Sequence, residues 1–285
     1  MVRVRAMRTL ENAMRRWGFY RVAGCDEVGR GCLAGPVVAG VVILDPARYI
    51  PHLADSKTIT ALERERLYDV ITRKALAWSV AAVHPAEIDA LNIHRASLEA
   101  MRRAVMAIAP LPDMIIVDAF RIPDLAIAQR GVPKGDRKCS AIAAASIVAK
   151  VTRDREMLVH HASDPRYGYA HHKGYATAEH LEAVGRLGPC EIHRRSFHAV
   201  GVFFQPNLFA SSWEGMAESL RIRSYRLYCE AVKLSNAARQ LAQFEFQAKR
   251  LRKTYADVFA AREAASHVDM VRTLLRDTRA QLRAK

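Results

Sequence analysis

Residues 23–36 read Ala23-Gly24-Cys25-Asp26-Glu27-Val28-Gly29-Arg30-Gly31-Cys32-Leu33-Ala34-Gly35-Pro36 and place two adjacent carboxylates directly before a glycine-rich segment. Apolar residues precede the acids, and a second apolar run rich in β-branched residues follows over 37–44. This order predicts a strand, a tight glycine turn and a second strand, a hairpin that carries the acids. Since adjacent residues of a strand point to opposite faces, we expect Asp26 and Glu27 to act from different directions.

The residue types in this stretch suit a hard divalent cation next to a sugar–phosphate chain. Such cations take oxygen ligands, which Asp26 and Glu27 offer. Gly29-Arg30-Gly31 offers backbone N–H groups and a guanidinium to a phosphate or a sugar. A surface turn with solvated acids remains the alternative for the acid pair alone. A dinucleotide-binding loop is excluded, because a proline and a β-branched run follow the glycines where that motif needs a helix N-terminus.

The totals restrict the class of protein. The chain has 285 residues, 51% of them apolar, and its 44 Lys and Arg exceed its 29 Asp and Glu by 15. This surplus favours a polyanionic partner, nucleic acid or an anionic membrane surface. No apolar run is long enough to span a membrane, and the basic N-terminus lacks the features of a secretory signal.

Cysteine and histidine usage gives further limits. Five irregularly spaced cysteines indicate neither a disulfide framework nor a Cys-x-x-Cys metal site, so we expect a reduced, cytoplasmic protein. Eleven histidines occur without paired cysteines and without His-Glu-x-x-His, which argues against catalytic zinc.

Helix and strand signals alternate after the hairpin. Thr60 and Glu63 form a capping box that predicts a helix to about residue 74. Asn92 is expected to cap a helix over 93–107, which has an apolar stripe at core spacing and arginines facing outward. The remaining predicted elements are a helix over 3–17, a strand over 75–83, a helix that starts at His84-Pro85 and a short helix over 180–187.

Two further acids lie in the middle of the chain. Asp118 ends the short apolar run Met114-Ile115-Ile116-Val117, the pattern of a strand buried on both faces. Open α/β sheets bind ligands at the edge where such strands end, although a lone strand-end turn residue is the alternative. Asp136 lies in the basic loop over residues 131–138.

The helix predicted over residues 140–160 places Ser146, Lys150 and Asp154 on one face. They form either a Lys–Asp pair on a solvated stripe or a surface where Ser146 and Lys150 meet a phosphate backbone. Residues 167–177 mix aromatic and basic residues without apolar periodicity, which suits stacking on a sugar or base together with charge for phosphate.

The character of the chain changes after residue 205. Residues 206–285 hold 15 basic and 8 acidic residues, and after Trp213 there is one glycine and no proline. We interpret 1–205 as a catalytic domain and 206–285 as a basic α-helical extension, which either packs on the domain or binds nucleic acid.

Converged, the carboxylates of Asp26, Glu27, Asp118 and Asp136 would hold two divalent ions about 3.5–4 Å apart, the arrangement that serves phosphodiester cleavage. Affinity for the polyanion would come from the basic surplus. Six blocks in this order resemble the motifs of the bacterial ribonuclease HII family, over roughly residues 8–205. They are Asp26-Glu27-Val28-Gly29-Arg30-Gly31 with Ala34-Gly35-Pro36, Asp55-Ser56-Lys57, Val117-Asp118, Lys134-Gly135-Asp136, Ala143 to Asp154, and His172-Lys173-Gly174-Tyr175-x-Thr177.

The resemblance implies a ribonuclease H-like fold, a mixed sheet flanked by helices. It implies cleavage of RNA in RNA–DNA hybrids and incision 5′ of single ribonucleotides in duplex DNA, leaving 3′-OH and 5′-phosphate ends, with Mn²⁺ or Mg²⁺, by a monomer that needs no membrane. It assigns metal binding to Asp26, Glu27 and Asp118, and to Asp136 as a fourth catalytic acid. It assigns substrate contacts to Gly29, Arg30 and Gly31 at the ribose 2′-OH, to Tyr175 at the junction with the following deoxynucleotide, and to Ser146 and Lys150 at phosphates.

Two features depart from the family pattern. Ala119 follows Asp118 where the family usually has glycine, and residues 206–285 have no counterpart in the usual family length. The alternatives to this enzyme are another two-metal nuclease of the same fold, a non-catalytic nucleic-acid-binding module, and an interaction protein built around the extension.

Overall fold

A computed structural model describes residues 7–53, 56 and 58–204. The predicted extension over 206–285 therefore lies outside the described residues, as do residues 1–6, Asp55 and Lys57. Residues 184–188, which end α7 and follow it, are grouped with 205–285 and apart from the other described residues. In the described part of the chain, no helix has the length and apolar character needed to cross a membrane.

The described residues form a five-stranded mixed sheet with helices on both faces. In chain order the elements are α1 (Thr9–Arg16), β1 (Val22–Val28), β2 (Val37–Ile43), α2 (Ala61–Lys74), β3 (Ala77–Val83), α3 (Pro85–Leu91), α4 (Ile93–Ala107), β4 (Met114–Asp118), β5 (Ala128–Val132), α5 (Ser140–Ser163), α6 (Tyr169–His172), α7 (Ala178–Leu187) and α8 (His198–Gly201), with 3₁₀ turns at Gly135–Arg137, Pro165–Tyr167 and Val202–Phe204.

The first strand of the chain lies at the centre of the sheet. The strand order is β3-β2-β1-β4-β5, with β1 antiparallel to β2 and parallel to β4. Strand β2 is buried along its whole length, and only Glu27 of β1 is partly exposed. Two apolar cores cover the two faces, one with α1, α2 and α5 and the other with α3 and α4. The acids of β1 are therefore fixed in the best-packed part of the sheet.

Helix α5 packs unusually close to β1 and β2, because small residues meet glycines. A Cβ atom added to Gly24 would lie 2.1 Å from the backbone carbon of Ala141, and one added to Gly40 would lie 2.5 Å from the Ala145 carbonyl oxygen. Every residue from Ser140 to Ala149 is buried. This contact sets the distance from α5 to the acid-bearing strand, and thereby the place of Ser146 beside Asp26.

The structure confirms the predicted fold and most of its elements. The capping box of Thr60 and Glu63 is present, and Asn92 caps α4 by accepting from the N–H groups of His94 and Arg95. Helix α1 begins at Thr9 and ends at Arg16, and residues 3–6 of the predicted helix lie outside the described residues. Helix α7 starts two residues before His180. The tight turn predicted after Glu27 is wrong, because residues 29–36 form a longer loop between the strands. Strand β5 was not predicted, because its residues are polar and alternate in burial.

Candidate active site

Three of the predicted acids meet at one edge of the sheet. Strands β1 and β4 run parallel, and Cys25 pairs with Val117, so the next residues along each strand, Asp26 and Asp118, come out at the same edge. Glu27 follows Asp26 and points to the other face of β1. The sheet therefore brings together carboxylates that are 92 positions apart in the chain, Asp26 and Asp118.

Asp26 is the most constrained of these acids. Its side chain is 6% exposed, and burial raises its pKa well above the usual range, with further increases from the negative charges of Glu27 and Asp118. A hydrogen bond from Ser146 and the N–H of Glu27, 2.8 Å from Asp26 Oδ1, act in the opposite direction. A buried carboxyl beside two others is stabilised by a cation placed among them.

Glu27 has a cationic partner within the chain. Arg30 Nη1 donates to Glu27 Oε1 at 3.2 Å, and the guanidinium is about one-third exposed. Burial raises the pKa of Glu27, while the charge of Arg30 and its hydrogen bond lower it. Arg30 of the glycine loop therefore lies against the acid edge rather than extending into solvent.

The loop that carries Asp136 is attached to Asp118. The N–H of Gly135 donates to Asp118 Oδ1 at 2.8 Å, and residues Gly135–Arg137 form a 3₁₀ turn that presents Asp136 as half-buried. Lys134 precedes the turn with a φ of +56°. All four predicted acids thus come from elements that end at the same edge of the sheet.

The carboxylates fit divalent ions in chemistry, although their side chains are not already gathered around one point. Within the residues described, no three His, Cys, Asp or Glu side chains are grouped as a metal-ion site. Glu27 is engaged by Arg30, and Asp118 by the Gly135 N–H. The raised pKa of Asp26 expresses an excess of buried negative charge, which is what an oxygen-binding cation neutralises.

The glycine loop lies next to the predicted tyrosine. Cys32 and Tyr175 form an isolated antiparallel bridge, and the N–H of Leu33 donates to the Gly174 carbonyl at 2.8 Å. Lys150 Nζ lies 5.4 Å from the centre of the Tyr175 ring. Burial raises the pKa of the Tyr175 hydroxyl to about 12. The structure therefore brings the loop and the tyrosine together, as a shared substrate surface requires.

Ser146 and Lys150 have partners within the protein. The Ser146 hydroxyl is buried, lies 2.9 Å from Ser56 Oγ and hydrogen-bonds to Asp26. Lys150 Nζ donates to Asp154 at 2.6 Å, and Arg64 lies 3.6 Å from the same carboxylate. The Lys–Asp pair anticipated from the sequence thus exists, but it is largely buried rather than on a solvated stripe.

The aromatic segment over residues 167–177 is mostly core, which corrects its interpretation as a stacking surface. Tyr167 and Tyr169 are buried and stack on each other with ring centres 5.6 Å apart. They contact a cluster of buried histidines, His172, His180 and His193, whose ring nitrogens are hydrogen-bonded. In this segment Tyr175 remains half-exposed and beside the loop.

The histidine cluster is held in the neutral state. Burial lowers the pKa of His180 to about 3 and that of His193 to about 4. His180 Nε2 lies 3.1 Å from His193 Nε2, so one of the two nitrogens must lack a proton. His180 Nδ1 lies 2.9 Å from the Tyr175 carbonyl oxygen, which ties the cluster to the predicted substrate tyrosine.

Two arginines near the glycine loop were missed from the sequence. Arg153 and Arg194 are fully buried, and both bond to backbone carbonyls of residues 30–36. A signal for Arg153 existed, because it lies four residues after Ala149 and seven after Ser146, on the buried stripe of α5. Arg194 sits in an irregular loop and had no periodic signal.

The fold and the acid edge define a class, the endonucleases with a ribonuclease H-like fold. The crystal structure of ribonuclease H2 from Pyrococcus horikoshii OT3 matches 64% of this chain and 95% of its own, with a TM-score of 0.54 and 29% identity. The structure of a PCNA:RNase HII complex from Archaeoglobus fulgidus matches 66% of this chain and 98% of its own, with a TM-score of 0.53 and 26% identity.

Sequence comparison narrows the class to one family. The family model "Ribonuclease HII" matches residues 23–200. Ribonuclease HII of Nitrosococcus oceani is 52% identical over 185 residues, 65% of this chain and 92% of that protein. Ribonuclease HII of Nocardia farcinica is 50% identical over 196 residues, 68% of this chain and 78% of that protein. The chain belongs to the ribonuclease HII family, a family of ribonuclease H endonucleases.

Proposed function

We propose that this protein cleaves the RNA of RNA–DNA hybrids and incises duplex DNA 5′ of single embedded ribonucleotides, leaving 3′-OH and 5′-phosphate ends. The observation that carries the proposal is the meeting of Asp26, Glu27 and Asp118 at the edge of β1 and β4, with the Gly29-Arg30-Gly31 loop directly beside them. The acids suit phosphodiester hydrolysis, and the loop suits the reading of a ribose.

Asp26, Glu27, Asp118 and Asp136 would hold two Mg²⁺ or Mn²⁺ ions. Bound there, such ions supply an activated water and stabilise the leaving oxygen of the phosphodiester. The chain itself contributes the buried position of Asp26, the hydrogen bond from Ser146 that keeps its carboxylate oriented, and the Gly135 N–H that orients Asp118. Fixed side chains lose little freedom when a cation binds.

The substrate residues act beside these acids. Backbone groups of Gly29 to Gly31 and the Arg30 side chain read the ribose 2′-OH, the group that separates RNA from DNA. Tyr175 packs at the junction with the following deoxynucleotide. Lys150 and Ser146 act near the phosphates, Lys150 through a positive charge that its bond to Asp154 holds in place beside Tyr175.

The partners in this proposal are RNA–DNA hybrids and ribonucleotide-containing duplex DNA, bound by a cytoplasmic monomer. The net charge of +15 favours such polyanions. The basic residues of 206–285 would add duplex affinity that does not depend on sequence. Deleting them would then flatten the salt dependence of binding, whereas an unchanged slope would contradict this role.

The test uses a labelled DNA duplex with one ribonucleotide, an all-DNA duplex, and Mg²⁺, Mn²⁺ or a chelator. We expect a metal-dependent nick 5′ of the ribonucleotide and no cut in the control. Cutting of both duplexes would leave a two-metal nuclease without ribose recognition. No cutting by a folded protein that binds both duplexes would leave a binding module.

Arg30→Ala sharpens the assignment of ribose recognition. We expect it to reduce cleavage at the ribonucleotide while leaving affinity for the all-DNA duplex close to that of the wild type. Arg66→Ala, an exposed arginine on α2, is the matched control for the lost charge. An equal loss of affinity for both duplexes in the Arg30 variant would remove its role at the 2′-OH.

A further inference from the structure

The loop over residues 29–36 makes few main-chain hydrogen bonds of its own. The N–H of Cys32 reaches the Gly29 carbonyl at 3.4 Å, and the N–H groups of Leu33 and Gly35 donate outward to Gly174 and Ile192. Such a loop does not hold its shape alone, because several of its carbonyl groups must find donors elsewhere. Two buried arginines supply those donors.

Arg153 reaches the loop from helix α5. Its Nε donates to the Pro36 carbonyl at 2.9 Å, and its Nη2 donates to the Ala34 carbonyl at 3.0 Å. Its Nη1 donates to the Lys173 carbonyl at 2.9 Å, and the guanidinium carbon lies 5.8 Å from the centre of the Tyr175 ring. One side chain therefore joins the end of the loop to the segment that carries the substrate tyrosine.

Arg194 reaches the same loop from the irregular segment between α7 and α8. Its Nε donates to the Gly35 carbonyl at 2.9 Å, and its Nη1 donates to the Arg30 carbonyl at 3.1 Å. Its side chain is fully buried, and burial lowers its pKa to about 10. Both of these acceptors are neutral carbonyl groups, which offset part of the cost of burying the guanidinium. Arg194 Nη2 is buried and has no hydrogen-bond partner among the described residues.

The bond to Arg30 has a geometric consequence for the substrate side. A trans peptide group is planar, and its C=O and N–H point in opposite directions. Because Arg194 holds the Arg30 carbonyl toward the interior, the N–H of the same peptide group, which belongs to Gly31, must point away from the interior. Gly31 is exposed, and a Cβ atom added to it would meet nothing within 4 Å.

The glycines of the loop make room for this arrangement. Gly29 has a φ of +93°, and a Cβ atom there would lie 2.4 Å from Arg153 Nε. Gly174 has a φ of +81°, and its Cβ atom would lie 2.5 Å from the Ala34 carbonyl oxygen. Gly29 in the loop thus leaves space for the Arg153 side chain, and Gly174 outside it leaves space for the Ala34 carbonyl that Arg153 bonds.

We infer that Arg153 and Arg194 are positioning residues for ribose recognition: they hold the carbonyl groups of residues 30–36 inward and thereby aim the Gly31 N–H at the nucleotide. The inference rests on the proposed function, in which this loop reads the 2′-OH. Lysine cannot replace either residue, because a single ammonium lacks the planar fork that bonds several carbonyls at fixed angles.

The test compares Arg194→Lys and Arg153→Lys with Arg155→Lys, all of which keep the charge. Arg155 is on the same helix as Arg153, is half-exposed and bonds to Glu65, so it is a matched control. For the first two variants we expect kcat/KM on the ribonucleotide duplex to fall roughly ten- to a hundred-fold, the effect of losing hydrogen bonds to a charged group. The Kd for an all-DNA duplex is expected to change less than about two-fold, because the charge is retained.

Amide hydrogen exchange provides a readout that does not depend on activity. We expect faster exchange in peptides that cover residues 29–36 of the Arg194→Lys and Arg153→Lys proteins, and wild-type exchange in helix α2. The Arg155→Lys protein should match the wild type throughout. If Arg194→Lys does not fold, Arg194→Gln, which keeps an amide donor without a buried charge, takes its place.

The outcomes separate the inference from the proposed function. A wild-type protein that cuts with no dependence on the 2′-OH would overturn the proposed function, and the inference with it. A selective wild type with variants that lose neither selectivity nor loop protection would overturn the inference alone. An equal loss of affinity for both duplexes, with faster amide exchange across the whole protein, would indicate a merely structural role of the two arginines. This result would also overturn the inference.

Discussion

The acid edge of β1 and β4 and the arginine-held loop over 29–36 both contain buried charged groups, but the surroundings of these groups differ. At the edge, burial raises the pKa of Asp26, and the negative charges of Glu27 and Asp118 raise it further. At the loop, Arg153 and Arg194 give their N–H groups to carbonyl oxygens at 2.9–3.1 Å. The difference indicates that like charges gather at the edge, whereas the guanidinium groups at the loop bond to neutral carbonyl oxygens and fix its shape, although Arg194 Nη2 has no hydrogen-bond partner among the described residues.

The largest effect is expected from Asp26→Asn, which removes the excess charge from the acid edge. Cleavage should fall roughly a thousand-fold or more, because Asp26 is one of the carboxylates that we propose to bind the metal ions. The fold should become more stable by about 1 kcal/mol, because a repelled, desolvated carboxylate is replaced by a neutral amide. Nicking assays and chemical denaturation measure the two effects.

Asp69→Asn, an exposed acid on α2, is the control and should change neither quantity. Turnover like that of the wild type in Asp26→Asn would contradict the metal assignment. A loss of stability in the same variant would show that the Asp26 carboxylate stabilises the fold. The contrast between the acid edge and the arginine-held loop would then be wrong.

The next effect is expected from Gly29→Ala, which disturbs the arginine-held loop. A Cβ atom would lie 2.4 Å from Arg153 Nε on a backbone with φ of +93°, so we expect a loss of about 2–4 kcal/mol in unfolding free energy. Gly31→Ala is the control, since nothing lies within 4 Å of its Cβ position. Equal stability of the two variants in urea denaturation would mean that Arg153 moves aside freely.

The acid edge and the histidine cluster of His172, His180 and His193 should change the stability of the fold with opposite signs as the pH falls. His180 and His193 have folded pKa values of about 3 and 4, below the unfolded value near 6.5. Between pH 6.5 and about 4 the unfolded chain therefore binds protons that the folded chain does not, and stability falls as the pH falls. Asp26 has a raised folded pKa, so its contribution to stability increases as the pH falls through that value.

Denaturation of Asp26→Asn at pH 7 and pH 5 removes the contribution of Asp26 that opposes the histidine effect. We expect a loss on the order of 4 kcal/mol, about 2 kcal/mol for each histidine, which is larger than in the wild type, where Asp26 offsets part of it. A smaller acid loss in Asp26→Asn than in the wild type would reverse the predicted signs.

The smallest effect is expected from Ala119→Gly, next to the acid edge. Ala119 has a φ of +61°, in the left-handed region that glycine adopts without strain. Relief of this strain should stabilise the fold by about 0.5–1 kcal/mol and leave cleavage within about two-fold. Ala47→Gly, exposed and without a positive φ, should destabilise instead. A destabilised Ala119→Gly protein would show that the methyl group contributes packing there.

The sequence was sufficient where the physical signal is local. Helix α4 has its predicted bounds because Asn92 caps it and the apolar stripe continues to Ala107. Strand β4 could be predicted from an uninterrupted apolar run, and Asp118 from its position at the end of that run. The convergence of Asp118 with Asp26 was expected on general grounds, since ligands gather where parallel strands end.

The sequence was insufficient where a residue's role depends on distant partners. Tyr167 and Tyr169 have the composition of a stacking surface, but histidines up to 26 positions away bury them. The loop after Val28 has carbonyl groups that accept from Arg194, over 150 residues later in the chain. No local sequence pattern contains such information. The position of the predicted substrate loop could therefore be predicted from the sequence, but its conformation could not.

The central position of β1 also orders events during synthesis. Domains form as the chain emerges N-terminus first, and β1 can pair with β2 as soon as Ile43 is available. Its other edge waits for β4, whose Met114 pairs with Val22, and its glycine-lined face waits for α5. A ribosome-bound chain that ends before Ser140 therefore exposes an apolar sheet face on which a chaperone could act. The acid edge of β1 and β4 can be completed only after most of the domain has been translated.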